Sequence, residues 1–111
     1  MVEKDPPNVL LITMDQWPGS LLGCEGHSVI ETPTIDRLAK SGIRFKRAYS
    51  ECPICIPARR SLMTGQSPRL HGDRVFSPSL KMPLETKTLA QAFRDAGYQA
   101  YAVGKLHVLP Q

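Results

Sequence analysis

The chain predicts an α/β fold, and three observations carry that expectation. First, Asn8-Val9-Leu10-Leu11-Ile12-Thr13-Met14 is an almost continuous apolar run with β-branched members. It has the pattern of a strand buried on both faces of a parallel sheet. Second, helix signals alternate with strand-like runs in the order strand, helix, strand, short helix, loop, helix, strand, which argues for parallel members. Third, hydrophobic residues make up 41% and charged residues 22% of the chain. That is the balance of a globular protein and argues against wholesale disorder.

The first strand ends at Asp15-Gln16, so a carboxylate stands at its C-terminal edge. Open α/β sheets place their ligands along that edge. Residues 17–31 hold Pro18, Gly19, Gly23 and Gly26 and read as loop. Thr32-Pro33 opens a helix, with Thr32 as N-cap and Pro33 in the first turn. Ile35, Leu38 and Ala39 share one face, and Gly42 suits a left-handed stop. Residues 43–49 begin as an alternating strand. Residues 66–87, with Pro68, Gly72, Pro78 and Pro83, read as a long surface loop carrying Arg69, His71 and Arg74. Thr88-Leu89-Ala90-Gln91 is a capping box. Its helix places Leu89, Ala92, Phe93 and Ala96 on one face and stops at Gly97. Residues 98–103 form a last short strand before Gly104-Lys105-Leu106-His107.

Composition excludes several classes. No apolar run approaches the roughly 18 residues of a membrane span. The start is charged and proline-rich, and the run Val9 to Ile12 is too short for a signal peptide, so the expected compartment is cytoplasmic. Three cysteines, Cys24, Cys52 and Cys55, are too few for a disulfide scaffold. The net charge of +4 comes from scattered basic residues, with Arg44-Lys46-Arg47 and Arg59-Arg60 as the only clusters. No nucleic-acid partner is expected from it. Ten prolines in 111 residues imply many loops between short elements. The length suffices for one small domain.

The segment Ser50 to Gly65 carries the chemistry. Cys52 and Cys55 form a C-x-x-C pair, which suits a redox dithiol, half a zinc site, or two buried thiols. No second such pair exists, and His27 and His71 lack ligand spacing. His27 reads as a loop-packing residue. A third reading starts from Pro57, which suits the first turn of a short helix closed by Gly65. Cys55 then lies at or just before the helix N-terminus, where free N–H groups and the dipole favour anions. Arg59 lies one turn on. A nucleophile, a guanidinium and a helix N-terminus together make an oxyanion site for sulfate or phosphate.

At these residues the sequence resembles the sulfatase family. The family pattern C-x-P-x-R is met by Cys55-Ile56-Pro57-Ala58-Arg59 and is followed by Leu62-Met63-Thr64-Gly65. Cys52 does not meet it, because Ile54 stands where proline is required. Four more landmarks follow the family's order: the strand ending in Asp15-Gln16, Leu22 to His27, Thr32 to Leu38, and Gly104-Lys105-Leu106-His107. The likeness runs from about Asn8 to His107.

The resemblance implies the three-layer α/β/α sandwich of the alkaline-phosphatase type. It implies hydrolysis of a sulfate monoester by a formylglycine made from Cys55 by a separate maturation enzyme. One hydroxyl of the hydrated aldehyde attacks sulfur and the alcohol leaves; the second hydroxyl helps expel sulfate, dividing one hard displacement into two easier steps. Asp15 resembles a ligand of a divalent metal, calcium ahead of magnesium or manganese, with Gln16 and the modified Cys55 beside it. Arg59 resembles the residue that holds the modified side chain. Lys105 and His107 resemble groups that contact the sulfate or the formylglycine, with His107 the candidate for proton transfer.

The sequence also departs from the family pattern. Gln16 replaces the second aspartate many members carry, which makes the metal site less negative. Leu106 stands where tryptophan is usual, and Ile56 is bulkier than the usual residue. Family branches with Asp-Gln include phosphonate and phosphodiester hydrolases, so that preference stays open, as does a non-catalytic C-x-x-C metal site. Members run to several hundred residues, with further metal ligands far downstream. Residues 1–111 are therefore expected to be the N-terminal part of the catalytic domain, inactive when isolated. Oligomeric state is not legible.

Overall fold

The structure, a computed structural model, describes residues 6–75 and 85–108. It divides into two compact units, Met1–Arg44 and Phe45–Gln111.

In the first unit, the expected loop before the helix contains two single 3₁₀ turns, Gly19–Leu21 and Gly23–Glu25. Helix α1 spans Pro33–Ser41, with proline in its first turn as expected. Thr32 occupies the N-cap position but makes no capping hydrogen bond. Its hydroxyl is engaged elsewhere: it accepts from the Gly23 amide at 2.8 Å and donates to Asp36 Oδ1 at 2.9 Å. The same carboxylate oxygen accepts from the Cys24 amide at 2.8 Å. Two side chains of α1's first turn thus bind two successive amides of the preceding turn. The approach is close enough that a Cβ on Gly23 would lie 2.6 Å from Asp36 Oδ2. Gly42 does not take the expected left-handed conformation: its φ is −122° and ψ −152°. Its amide still closes the helix on the Leu38 carbonyl at 2.9 Å, and the chain leaves in an extended direction open to any residue. His27 packs its loop as expected, Nδ1 accepting from the amides of Val29 and Ile30 at 3.2 and 2.8 Å.

In the second unit, α2 spans Cys55–Thr64, starting from extended Ile54. Pro57 falls in the first turn, where its missing N–H costs nothing. Gly65 ends the helix at φ 68°, with its amide on the Ser61 carbonyl at 2.8 Å. That left-handed stop is what glycine allows without strain. A further short helix, α3 over Pro68–His71, interrupts the segment expected to be all loop. Residues 76–84 of that segment lie outside the described residues. Helix α4 spans Leu89–Asp95 and carries the expected capping box. The Thr88 amide donates to Gln91 Oε1 at 2.7 Å, and the Gln91 amide donates to Thr88 Oγ1 at 3.3 Å. Beyond its end, Tyr98 packs edge-on against Phe93, with centroids 5.1 Å apart.

Helix α2 packs against both α3 and α4. Among the described residues the buried side chains gather around it: Ile56, Pro57, Arg60, Pro68 and Asp73. Nothing in this cluster resembles a large aliphatic core; an arginine is its largest member.

The three expected strands are not paired. Among the described residues no strand occurs, and residues 8–14, 43–49 and 98–103 run without ladder hydrogen bonds. Most of their apolar side chains stay open to solvent, with Leu10 84% and Val103 fully exposed. A doubly buried parallel strand is held by hydrogen bonds to neighbours and by layers on both faces. Apolar patterning reads the demand for such partners and not their presence. The sandwich expected from the resemblance is therefore not formed by the described residues. None of their helices is long and apolar enough to cross a membrane.

Candidate active site

Cys55 is the first residue of α2 and is half-buried. The helix begins there because extended Ile54 hands over to Pro57's pre-set backbone angle. The amides of a first turn lack partners within the helix, so this end favours negative charge. Lys105 reaches it from fifty residues away, its Nζ donating to Cys55 Sγ at 3.2 Å. Arg59, one turn along α2, donates from Nη1 to the Lys105 backbone carbonyl. The helix therefore holds Lys105 by its main chain while Lys105 holds Cys55 by its side chain. A lysine ammonium and a helix N-terminus meet at one sulfur, with an arginine holding the lysine's backbone, a setting for an anionic group.

His107 follows two residues after Lys105 and is half-buried, with Nδ1 shielded from solvent. Its backbone is left-handed at φ 50°. In the first unit, Asp15 and Gln16 form an exposed turn, and Gln16 is left-handed at φ 54°. Among the described residues these two are the only non-glycine positions at positive φ. Such conformations cost energy and gather at functional sites. Both fall on residues singled out from sequence alone.

The structure thus brings together Cys55, Arg59 and Lys105, and places His107 on the segment that carries Lys105. Asp15 and Gln16 belong to the other unit. Their side-chain oxygens are of the hard type that divalent cations take. No group of three or more His, Cys, Asp and Glu side chains stands close enough to hold a metal ion among the described residues.

The two cysteines of the C-x-x-C pair have different partners. Cys52 Sγ donates to the Arg74 carbonyl at 3.4 Å, whereas Cys55 faces Lys105. Three residues not singled out from sequence also surround the site. Arg60 is wholly buried and pairs with Asp73, while its Nε and Nη2 donate to the Val108 carbonyl at 3.2 and 3.1 Å. A buried arginine within an exposed-looking basic pair leaves no signal in composition.

His71, expected on the surface, is half-buried and lies 3.1 Å from Ser61 Oγ through Nε2. Its Nδ1 accepts from the Asp73 amide at 3.2 Å. A neutral ring that accepts at Nδ1 carries its proton on Nε2 and donates to the serine. This pair cannot activate Ser61 as a nucleophile, because the nitrogen facing it holds no free lone pair. It pins α3 to α2.

A model of the sulfatase family matches residues 7–111. The chain belongs to the sulfatase family. An arylsulfatase of Clostridium perfringens is 40% identical over 105 residues, which cover 95% of this chain and 22% of that protein. The ulvan-active sulfatase of Formosa agariphila is 39% identical, over 96% of this chain and 20% of its own length. Human arylsulfatase A is 38% identical, over 93% and 21%. The chain therefore spans about a fifth of the length of the curated relatives it matches. No solved structure gives a significant match. Membership of the sulfatase family implies the alkaline-phosphatase-like fold, to which the described residues contribute helices and unpaired extended segments.

Proposed function

We propose that the protein carrying this chain hydrolyses sulfate monoesters, with Cys55, matured to formylglycine by a partner enzyme, at the reacting centre. Residues 1–111 are the N-terminal part of its catalytic domain, and the extended segments 8–14, 43–49 and 98–103 become strands of its three-layer sandwich. The observation that carries this reading is the Cys55–Lys105 contact at the start of α2, backed by Arg59 on the Lys105 carbonyl.

The residues present fit the modified side chain. Position 55 is half-buried at a helix start, and its γ atom already accepts a charged hydrogen bond. A formylglycine there would supply a hydrated aldehyde as the nucleophile. Lys105 steadies negative charge on the oxygens nearest position 55, at an ammonium whose placement is fixed before substrate arrives. Arg59 fixes the lysine's backbone and so limits its reach. His107, on the same segment, is the group suited to move a proton to the departing alcohol. Asp15 and Gln16 are the residues that would hold a divalent cation, calcium by their donor chemistry, and the ion would polarise the ester oxygens.

Gln16 favours a second reading within the same chemistry. A neutral donor in place of a carboxylate lowers the negative charge around the cation, which suits a phosphonate monoester or phosphodiester as well as a sulfate. A structural metal on Cys52 and Cys55 has less support, because the two thiols face different partners.

Comparing turnover of an aryl sulfate, an aryl phosphonate monoester and a phosphodiester by the matured full-length protein tests the proposal. Sulfate ester hydrolysis at the highest kcat/KM is the expected result. Faster turnover of either phosphorus ester transfers the assignment to the second reading. No turnover of any of the three, with formylglycine verified at position 55, rejects both.

A further inference from the structure

Arg59 and Arg60 are neighbours on α2 with opposite surroundings. Arg59 is half-buried and reaches the Lys105 carbonyl, whereas Arg60 is wholly enclosed. Enclosing a guanidinium is costly unless its charge and its donors are met. Here the charge is met by Asp73, itself 6% exposed, just beyond α3. Two of the remaining donors, Nε and Nη2, fork onto one acceptor, the Val108 carbonyl, at 3.2 and 3.1 Å.

Val108 is the residue after His107 and the third after Lys105. Consecutive arginines of α2 thus grip the two ends of one four-residue segment by its main chain. Between the grips lie Lys105's side chain on Cys55 and the left-handed backbone of His107. A left-handed histidine persists only where its surroundings enforce it. A forked guanidinium fixes both the distance and the direction of the carbonyl it holds, which a lysine ammonium does not.

We propose that Arg60 and Asp73 are positioning residues: a buried latch that holds Lys105 and His107 against the start of α2. They touch no substrate. Their effect on turnover rests on the sulfatase reading above, but their effect on the segment does not.

The test uses the matured full-length protein with two variants that keep buried charge balanced. Arg60→Lys retains the charge facing Asp73 and removes the fork on Val108. Arg60→Met combined with Asp73→Leu removes the pair altogether, a change that buried ion pairs commonly tolerate. Hydrogen exchange followed by mass spectrometry reads the backbone of residues 104–108, and steady-state kinetics on an aryl sulfate reads the site. In both variants exchange at 104–108 should accelerate about tenfold or more while α4 is unchanged. In step with that, kcat should fall about 10- to 100-fold with KM within about twofold, the scale seen when supporting groups of a site are lost. Unchanged exchange at 104–108 overturns the latch. Exchange that accelerates uniformly along the chain overturns it too, since the pair would then serve overall stability alone. A loosened segment with kcat kept within about twofold overturns the positioning role. If the parent hydrolyses no sulfate ester, the functional reading fails and the exchange measurement alone decides the latch.

Discussion

Lys105 Nζ lies 3.2 Å from Cys55 Sγ, although fifty residues separate them in the chain. The contact joins two sequence landmarks that share no local signal. Arg59 in turn donates to the Lys105 carbonyl, and the two contacts together order the expected consequences of mutation.

Removing the ammonium should therefore cost more than moving it. Lys105→Met is expected to lower kcat of the matured full-length protein about 10²- to 10³-fold, the scale for losing one preorganised stabilising donor. Lys105→Arg should retain part of the activity. Arg59→Met should fall between the two, because the lysine remains but its backbone is released. Steady-state kinetics on an aryl sulfate checks the ranking.

The cysteines should separate cleanly. Cys55→Ala is expected to abolish turnover, because no nucleophile can be made there. Cys52→Ala should retain most activity, since its thiol only meets the Arg74 carbonyl. Mass spectrometry of the peptide containing position 55 should show an aldehyde in place of the thiol after co-expression with a maturation enzyme. Zinc bound by the wild type and lost in both variants would instead support a structural metal site.

Metal removal should be reversible. Chelation is expected to abolish turnover of the full-length protein, and calcium should restore it. Gln16→Asp adds a negative oxygen donor and should tighten calcium binding, since affinity at oxygen sites follows ligand charge. Calorimetric titration with calcium reads this without any substrate. The isolated chain of residues 1–111 should show no turnover, because Asp15 and Gln16 alone leave most of a cation's coordination unfilled.

The capping box offers a control for stability without chemistry. Thr88→Ala removes the acceptor for the Gln91 amide and should cost about 1 kcal/mol. Thermal unfolding of the full-length protein should show the loss, with kcat unchanged.

The His71 tautomer is directly observable. Nitrogen chemical shifts of the ring should show Nε2 protonated and Nδ1 bare, as its bond from the Asp73 amide requires. The opposite tautomer would reopen Ser61 as a hydrogen-bond donor to His71 and remove the argument against a serine nucleophile.

Short-range features were legible in the sequence because their causes are short-range. The capping box at Thr88 and Gln91, proline in the first turn of α1 and α2, and the left-handed stop at Gly65 each depend on four or five neighbouring residues. The reading at Gly42 failed for a related reason: glycine permits a left-handed stop without requiring one, and the path of the following chain decided. Helix α3 was missed because four residues behind a proline carry too little periodicity to register. The strands were read from apolar runs, and those runs are present but unpaired, since pairing depends on neighbours that a pattern does not contain.

By itself the sequence pointed to the family, to a short helix starting near Cys55, and to Asp15, Gln16, Cys55, Arg59, Lys105 and His107 as candidate site residues. These follow from residue identity and spacing. Only the tertiary structure decided which of them meet, that Arg59 takes the main-chain carbonyl of Lys105, and that Arg60 and Asp73 belong to the arrangement at all. The reason is that a hydrogen bond's strength depends on distance and direction, whereas spacing along a chain sets neither once a loop intervenes. Arg60 looks like half of a basic surface pair until burial shows that its charge must be met by Asp73.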